Sequence, residues 1–206
     1  MILAIDTSVG ISVAVHDDTE LLSELTTNEH GVQGELIAQY IQDALSGAYV
    51  SPSEITAVVV GVGPGPFTGL RVGIASAGAF ALARNIPIHG YCSLDALGIS
   101  TRGDCVVVSD ARRKELYWAH YRDGERIQGP AVNAPIDIVS QFPNTSFVGP
   151  AANLYPEVLS GEVQQLRAGN LAQLFTQGKG QIHEVVPMYL RKPDAAEPTG
   201  RKQVLQ

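Results

Sequence analysis

Apolar positions along the chain follow two periods, two and about 3.6, and the switches between them mark the expected elements. Ile2 to Ile5 is a short apolar run, and Ile11, Val13 and Val15 then alternate with Ser12, Ala14 and His16. With Glu20 to Thr26 as a third strand and turn chemistry at Asp6-Thr7-Ser8-Val9-Gly10 and Asp17-Asp18, the start predicts an antiparallel meander. Leu36, Tyr40 and Ala44, beside Ile37, Ile41 and Leu45, form one helical stripe. Ser51-Pro52-Ser53-Glu54 has the form of a capping box over a short helix. Ile55 to Val62 reads as a central strand, Thr68 to Arg84 as a helix and Ile86 to Tyr91 as a strand.

The second half opens in the same way. Val106 to Val108 is an apolar run, Asp110 ends it, a polar turn follows, and Leu116, Trp118 and His120 alternate with Tyr117, Ala119 and Tyr121. Asp6 and Asp110 stand about half a chain length apart, which predicts an internal structural repeat. Asp123-Gly124 marks a hairpin turn. Beyond Gly129 the pattern thins: Ile136 to Phe142 is expected as a helix, Ser146 to Val148 as a strand and Ala168 to Gln177 as a helix. The expected organisation is a larger lobe over residues 1–100, a smaller one over 101–190, and a polar, disordered tail over 191–206.

Composition narrows the function classes. With 45% hydrophobic and 17% charged residues a packed core is expected. The net charge of −7 disfavours a chain that grips a nucleic-acid backbone by itself. The start MILAIDTSVG has neither the basic opening nor the apolar stretch of a signal peptide, and no segment is long and apolar enough to span a membrane. Cys92 and Cys105 lack the short spacing of a zinc site and are expected as reduced core thiols of a cytoplasmic protein.

Two segments are candidates for chemistry. Asp6-Thr7-Ser8 could hold a metal–phosphate group or be an Asx- or ST-type turn with no ligand; taken alone the turn reading wins, and the echo at Asp110 improves the nucleotide alternative, although Ala111 follows it in place of a hydroxyl residue. Gly61 to Gly73 joins a strand to a helix but fits neither a Walker A loop nor G-x-G-x-x-G. It reads as a stiff turn with Thr68 as the N-cap, ahead of a phosphate cradle. The helix it launches carries Gly69, Gly73, Ala77 and Ala81 at every fourth position, continuing from Gly65, and no charge from Val72 to Ala83. Such a stripe admits another backbone closely, either in the chain's own core or on a partner. On the partner reading, Gly73→Leu is expected to block association while leaving the domain folded. Arg71 opposes the helix dipole and is either solvated or offset by a carboxylate. No histidine pair has the i, i+4 spacing of helical metal ligands.

The segment GVGPGPFTGLRVGIASAGAFALA resembles the signature of the TsaB (YeaZ) family, with Pro66 where the family usually has Ser. LAIDTS, His30 (followed here by Gly31 in place of Ser), Asp110-Ala111-Arg112 with Glu115 to Trp118, and Pro187-x-Tyr189-Leu190-Arg191 are similar too. The resemblance implies an α/β fold of the actin/Hsp70-like (ASKHA, ribonuclease H-like) type, duplicated, with mixed sheets, flanking helices and a reduced second half. It implies a non-catalytic subunit required for threonylcarbamoylation of adenosine 37 in tRNAs reading ANN codons. That subunit pairs with a catalytic TsaD subunit, is joined by a TsaE-type ATPase, self-associates when alone and meets tRNA only through the complex. The implied interface is His30, Leu36, Ile37, Tyr40, Ile41, Phe67, Thr68, Gly69, Arg71, Gly73, Ala77 and Phe80. No catalytic or metal-binding residue is expected in this chain; ATP and a metal belong to the assembled complex, and neither transferase nor peptidase activity is expected. Asp6, Thr7 and Asp110 remain the cofactor-binding candidates, and the alternative function is a free-standing actin-fold ATPase or small-molecule kinase.

Overall fold

A computed structural model of the chain describes residues 1–29 and 31–191. His30 and the expected tail beyond Arg191 lie outside the described residues. The meander forms as expected, as β1 (Ile2–Asp6), β2 (Ile11–His16) and β3 (Leu21–Thr27), each antiparallel to the next. Helix α1 (Gln33–Gly47) follows, then a 3-10 turn at Pro52–Glu54. There Ser51 and Glu54 close the reciprocal capping box that the sequence announced. Strand β4 (Ala57–Gly61) runs parallel to β1, α2 spans Phe67–Arg84, and β5 (Ile88–Tyr91) lies parallel to β4.

The second half repeats this plan. A short helix α3 (Asp95–Gly98) leads into β6 (Asp104–Asp110), β7 (Leu116–Arg122) and β8 (Glu125–Asn133), a second antiparallel meander. Helix α4 (Pro135–Gln141) then precedes β9 (Ser146–Val148), which lies parallel to β6. Finally α5 (Ala168–Thr176) and the two-residue β10 (Ile182–His183) follow. The first sheet has the order β10-β5-β4-β1-β2-β3 and the second β8-β7-β6-β9. Strands 3-2-1-4 of the first sheet and 8-7-6-9 of the second share one pattern of neighbours and senses. The duplication is therefore present, and the second copy is the smaller by one parallel strand.

Burial follows from the patterning. β1 and β4 are apolar at nearly every position because both of their faces are covered. Leu3, Ile5, Val58 and Val60 pack under Ile37, Leu45, Ala77 and Ala81 of α1 and α2. Ile2, Ala4, Ala57 and Val59 face the other way, into a core completed by Leu171, Ala172 and Leu174 of α5 and by Cys105, Val107 and Tyr121 of the second sheet. The outer face of that sheet packs Val106, Val108 and Trp118 on Ile138 and Phe142 of α4. Thus the last helix returns to the first sheet and lies between the two halves, while β10 extends that sheet by pairing with β5. Cys92 and Cys105 are free and buried. Among the described residues no helix is long and apolar enough to cross a membrane.

Candidate functional site: a helix face and an interlobe cleft

The Gly-rich loop and the Asp6-Thr7-Ser8 turn prove to be two sides of one contact. A Cβ at Gly61 would fall 1.8 Å from Asp6 Oδ2, one at Gly65 2.8 Å from the Ser8 backbone, and one at Gly69 2.7 Å from the Thr7 carbonyl. At Gly73 it would fall 2.1 Å from Thr7 Oγ1. The Thr7 hydroxyl donates to the Gly69 carbonyl at 2.8 Å, and Asp6 Oδ1 accepts from the Ser8 amide at 2.9 Å and the Ser8 hydroxyl at 2.5 Å. The backbone that the small-residue stripe admits is therefore the chain's own. Gly69, Gly73 and Ala77 are buried and present no outer surface, which corrects the expectation that Gly73→Leu leaves the domain folded. Thr68 is also corrected as a cap: the N-cap of α2 is Pro66 and no side chain caps it.

Asp6 is fully enclosed, and burial raises its carboxyl above the ordinary 3.8, against the Ser8 and Ser93 hydroxyls and the Ser8 amide, which pull it down. Its Oδ2 has no partner in hydrogen-bond geometry even though Ser93 lies close by; the Ser93 hydroxyl accepts from the Gly63 amide at 3.1 Å.

The outward side of α2 carries Phe67 (46% exposed), Thr68, Arg71, Ala75, Ala79 and Leu82 (84% exposed). Between Arg71 and Arg84 this helix has no charge on any side, so an apolar face lies open to solvent. Leu36, Tyr40 and Ile41 of α1 and Phe80 of α2 are half-buried against the core beneath, and Ile37 is buried in it. The cation at the start of α2 is held by rings, not by a carboxylate. Arg71 lies 3.7 Å above the Phe67 ring and donates from Nε to the Tyr189 hydroxyl at 2.9 Å, while Phe67 and Tyr189 stack at 5.0 Å.

This aromatic lock forms one wall of a cleft of about 380 Å³ between the halves, lined also by Asp110, Arg112, Arg113, Tyr117 and Arg191. The β6–β7 turn on its far wall carries three successive non-glycine residues in the left-handed region: Arg112, Arg113 and Lys114, with φ of 62°, 54° and 59°. Asp110 holds this strained turn, accepting from the Arg112 amide at 2.7 Å and pairing with its guanidinium at 3.2 Å. Arg191 ties it down through Glu115 and the Ala111 carbonyl. Of the three cofactor candidates only Asp110 lines the cleft; Asp6 and Thr7 lie in the packed turn behind it. Among the described residues no group of three or more His, Cys, Asp and Glu is arranged to hold a metal. The lock and the left-handed turn were missed in the sequence, although Tyr189 and Arg191 belong to a segment already singled out.

The paired meanders, each followed by a parallel strand, define an actin-like ASKHA fold. YeaZ from Pseudomonas aeruginosa superposes with a TM-score of 0.74 at 25% identity, over 92% of this chain and 99% of that one. A second P. aeruginosa structure, of an uncharacterised protein similar to peptidase YeaZ, gives 0.77, also at 25% identity and over the same shares of both chains. An uncharacterised protein of Mycobacterium tuberculosis H37Rv is 42% identical over 94% of this chain and 93% of its own length. A Mycobacterium leprae relative is 43% identical over 95% of this chain, which spans only 56% of that protein. The tRNA threonylcarbamoyladenosine biosynthesis protein TsaB of Escherichia coli K12 is 36% identical over 60% of this chain and 56% of its own length. Residues 24–198 match the model of the family described as TsaD, tRNA N6-adenosine threonylcarbamoyltransferase. The chain belongs to this family, in its TsaB (YeaZ) group.

Two predictions test the packed turn. Gly73→Ala is expected to destabilise the fold by roughly 1–3 kcal/mol through overpacking on Thr7, whereas Gly78→Ala, with nothing within 4 Å of the new methyl, is expected to stabilise it by about 1 kcal/mol. Thermal denaturation of both variants checks the opposite signs. The second concerns Asp6. Because its folded pKa is raised, its contribution to stability is complete below the ordinary carboxylate value and is lost as pH rises through the raised one. Asp6→Asn is therefore expected to gain in melting temperature over the parent as pH rises from acid to alkaline; a pH-independent difference would show that the carboxyl is not held protonated.

Proposed function

We propose that this chain is the non-catalytic partner subunit of a tRNA threonylcarbamoyladenosine assembly, acting through the α1–α2 face on a TsaD-type catalytic subunit. One observation carries the reading: between Arg71 and Arg84 α2 lacks charge all round, yet its Phe67, Ala75, Ala79 and Leu82 side is open. An exposed helix face with that composition is suited to a second protein surface. The TsaB relatives of Escherichia coli and Bacillus subtilis, named for tRNA threonylcarbamoyladenosine biosynthesis, supply the pathway. On this reading the chain pairs with itself through the same face when alone, releases that pairing for the TsaD-type subunit, and is then joined by a TsaE-type ATPase in the cytoplasm. The ATP, the metal and the tRNA enter through the assembly, and residues 6–8 serve as structure within the subunit.

The test is light scattering on the chain alone and mixed with its TsaD counterpart and ATP, for the parent and for Ala79→Arg. The parent is expected to form a homodimer that converts to a stoichiometric heteromer. Ala79→Arg places a cation on an exposed helix position, so it is expected to keep the parental melting temperature and lose both associations by tenfold or more. A folded variant that still associates at parental strength would remove α2 from the interface. A parent chain that ignores the TsaD counterpart would overturn the assignment itself.

A further inference from the structure

The two hairpin turns of the second sheet are alike in backbone and opposite in chemistry. Between β7 and β8 the turn is Asp123-Gly124, both residues with positive φ, 49° and 84°. That is the ordinary filling of such a turn, whose left-handed path suits Asn, Asp and Gly. Between β6 and β7 the Glu115 amide donates to the Arg112 carbonyl at 3.0 Å and encloses Arg113 and Lys114, with φ of 54° and 59°. Arg112 before them is left-handed too. Long cationic side chains are poor residues for this path. All three are exposed, at the tip of a hairpin whose strands are largely buried. The tip is braced: the Ala111 amide donates to the Glu115 carbonyl at 3.1 Å, and Asp110 takes the Arg112 amide at 2.7 Å. The two carboxylates at its base are offset, Asp110 by Arg112 and Glu115 by Arg191, so the tip as a whole stays cationic in a chain of net charge −7.

From this contrast we infer that the β6–β7 tip is a contact for an RNA backbone: within the assembly proposed above, on which the inference rests, Arg112, Arg113 and Lys114 meet phosphates of the bound tRNA. A turn that only reverses the chain is served by Asp-Gly, as the β7–β8 hairpin shows. Three cations in its place weaken the turn and set their charge at one fixed, outward point of the molecule. Arg112 is oriented by Asp110 at 3.2 Å yet keeps 63% of its side chain exposed, so the ion pair aims it without sealing it. Charge complementarity alone admits an acidic protein as well as a nucleic acid. RNA is favoured because the matching family and the TsaB relatives are named for a modification of tRNA, a polyanion. Phosphate contacts of this kind fix position and register and read no base. The net charge of the chain opposes binding by the isolated subunit, so the tip adds to a site whose remainder lies elsewhere in the assembly. It shares no residue with the α1–α2 face.

The experiment measures tRNA binding by the full chain assembled with its TsaD counterpart, by fluorescence anisotropy at a series of salt concentrations. Arg113→Asn combined with Lys114→Gly gives the turn residues that suit its path and removes two charges. This double variant is expected to melt higher than the parent and to form the heteromer at parental strength. It is also expected to bind tRNA several-fold more weakly, with a slope of log K against log salt shallower by about two. The exchange Arg113→Lys with Lys114→Arg keeps both charges and is expected to bind as the parent does. Should the double variant fail to fold, Lys114→Gly alone carries the test, with a slope shallower by about one. A heteromer of the double variant that binds tRNA with parental affinity and parental slope would overturn the inference and leave the proposed function standing. Loss of the heteromer in that variant would assign the tip to a protein contact and overturn the inference as well. A parent chain that forms no heteromer would remove both together.

Discussion

The fold depends on the close approach of the Asp6-Thr7-Ser8 turn to the glycine ridge of residues 61, 65, 69 and 73. Each member of the ridge leaves room that a methyl group would fill with a clash. In exchange, β4, the loop and α2 are drawn against the end of β1, and the Thr7 hydroxyl closes the contact on a helix carbonyl. Glycines inside a helix weaken it intrinsically by about 1 kcal/mol each. Tertiary packing outweighs that cost here, as it does for most helices in globular proteins. The pressed-in turn also explains why α2 keeps a fixed angle and so presents Phe67, Ala75, Ala79 and Leu82 outward along one line.

Duplication has placed two equivalent β-turns in the molecule and given them different surroundings. The first is sealed: Asp6 is buried, with its hydrogen bonds made to Ser8. The second, between β6 and β7, stays at a cleft, held in a left-handed path by Asp110 and by the arginine that ends the described chain. The same topological position thus packs a helix in one half and borders open space in the other. Tyr189 joins the two regions, because it stacks on Phe67 and accepts from Arg71 at the start of the outward helix face.

Much of this was legible in the residues. Alternation and apolar runs located β1, β2, β4, β6, β7 and β9, and the echo of Asp6 at Asp110 located the repeat. What escaped has physical causes. β8 runs through Gln128, Gly129 and Pro130, which interrupt any two-residue period, and its pairing with β7 slips at that point. β10 and α3 are too short to carry a pattern. The stripe on α2 showed that a backbone comes close, but spacing alone cannot say whose. A helix apolar on both sides hides the distinction, and only the three-dimensional fold shows that its small face is inward. Arg71 was legible as an unfavourable charge, whereas its ring partner Tyr189 lies more than a hundred positions away.

The path of the final segment has a consequence for how the molecule comes into being. α5 supplies the cover for one face of the first sheet, and β10 occupies that sheet's edge beside β5. A ribosome making this chain has therefore released every strand of the first sheet but one long before the helix that shields them emerges. Until then Ile2, Ala4, Ala57 and Val59 face water or whatever shelter the cell provides. The first half cannot mature as an independent unit during synthesis, and a message cut short before the codons of α5 yields a protein whose oldest part is the one left unfinished.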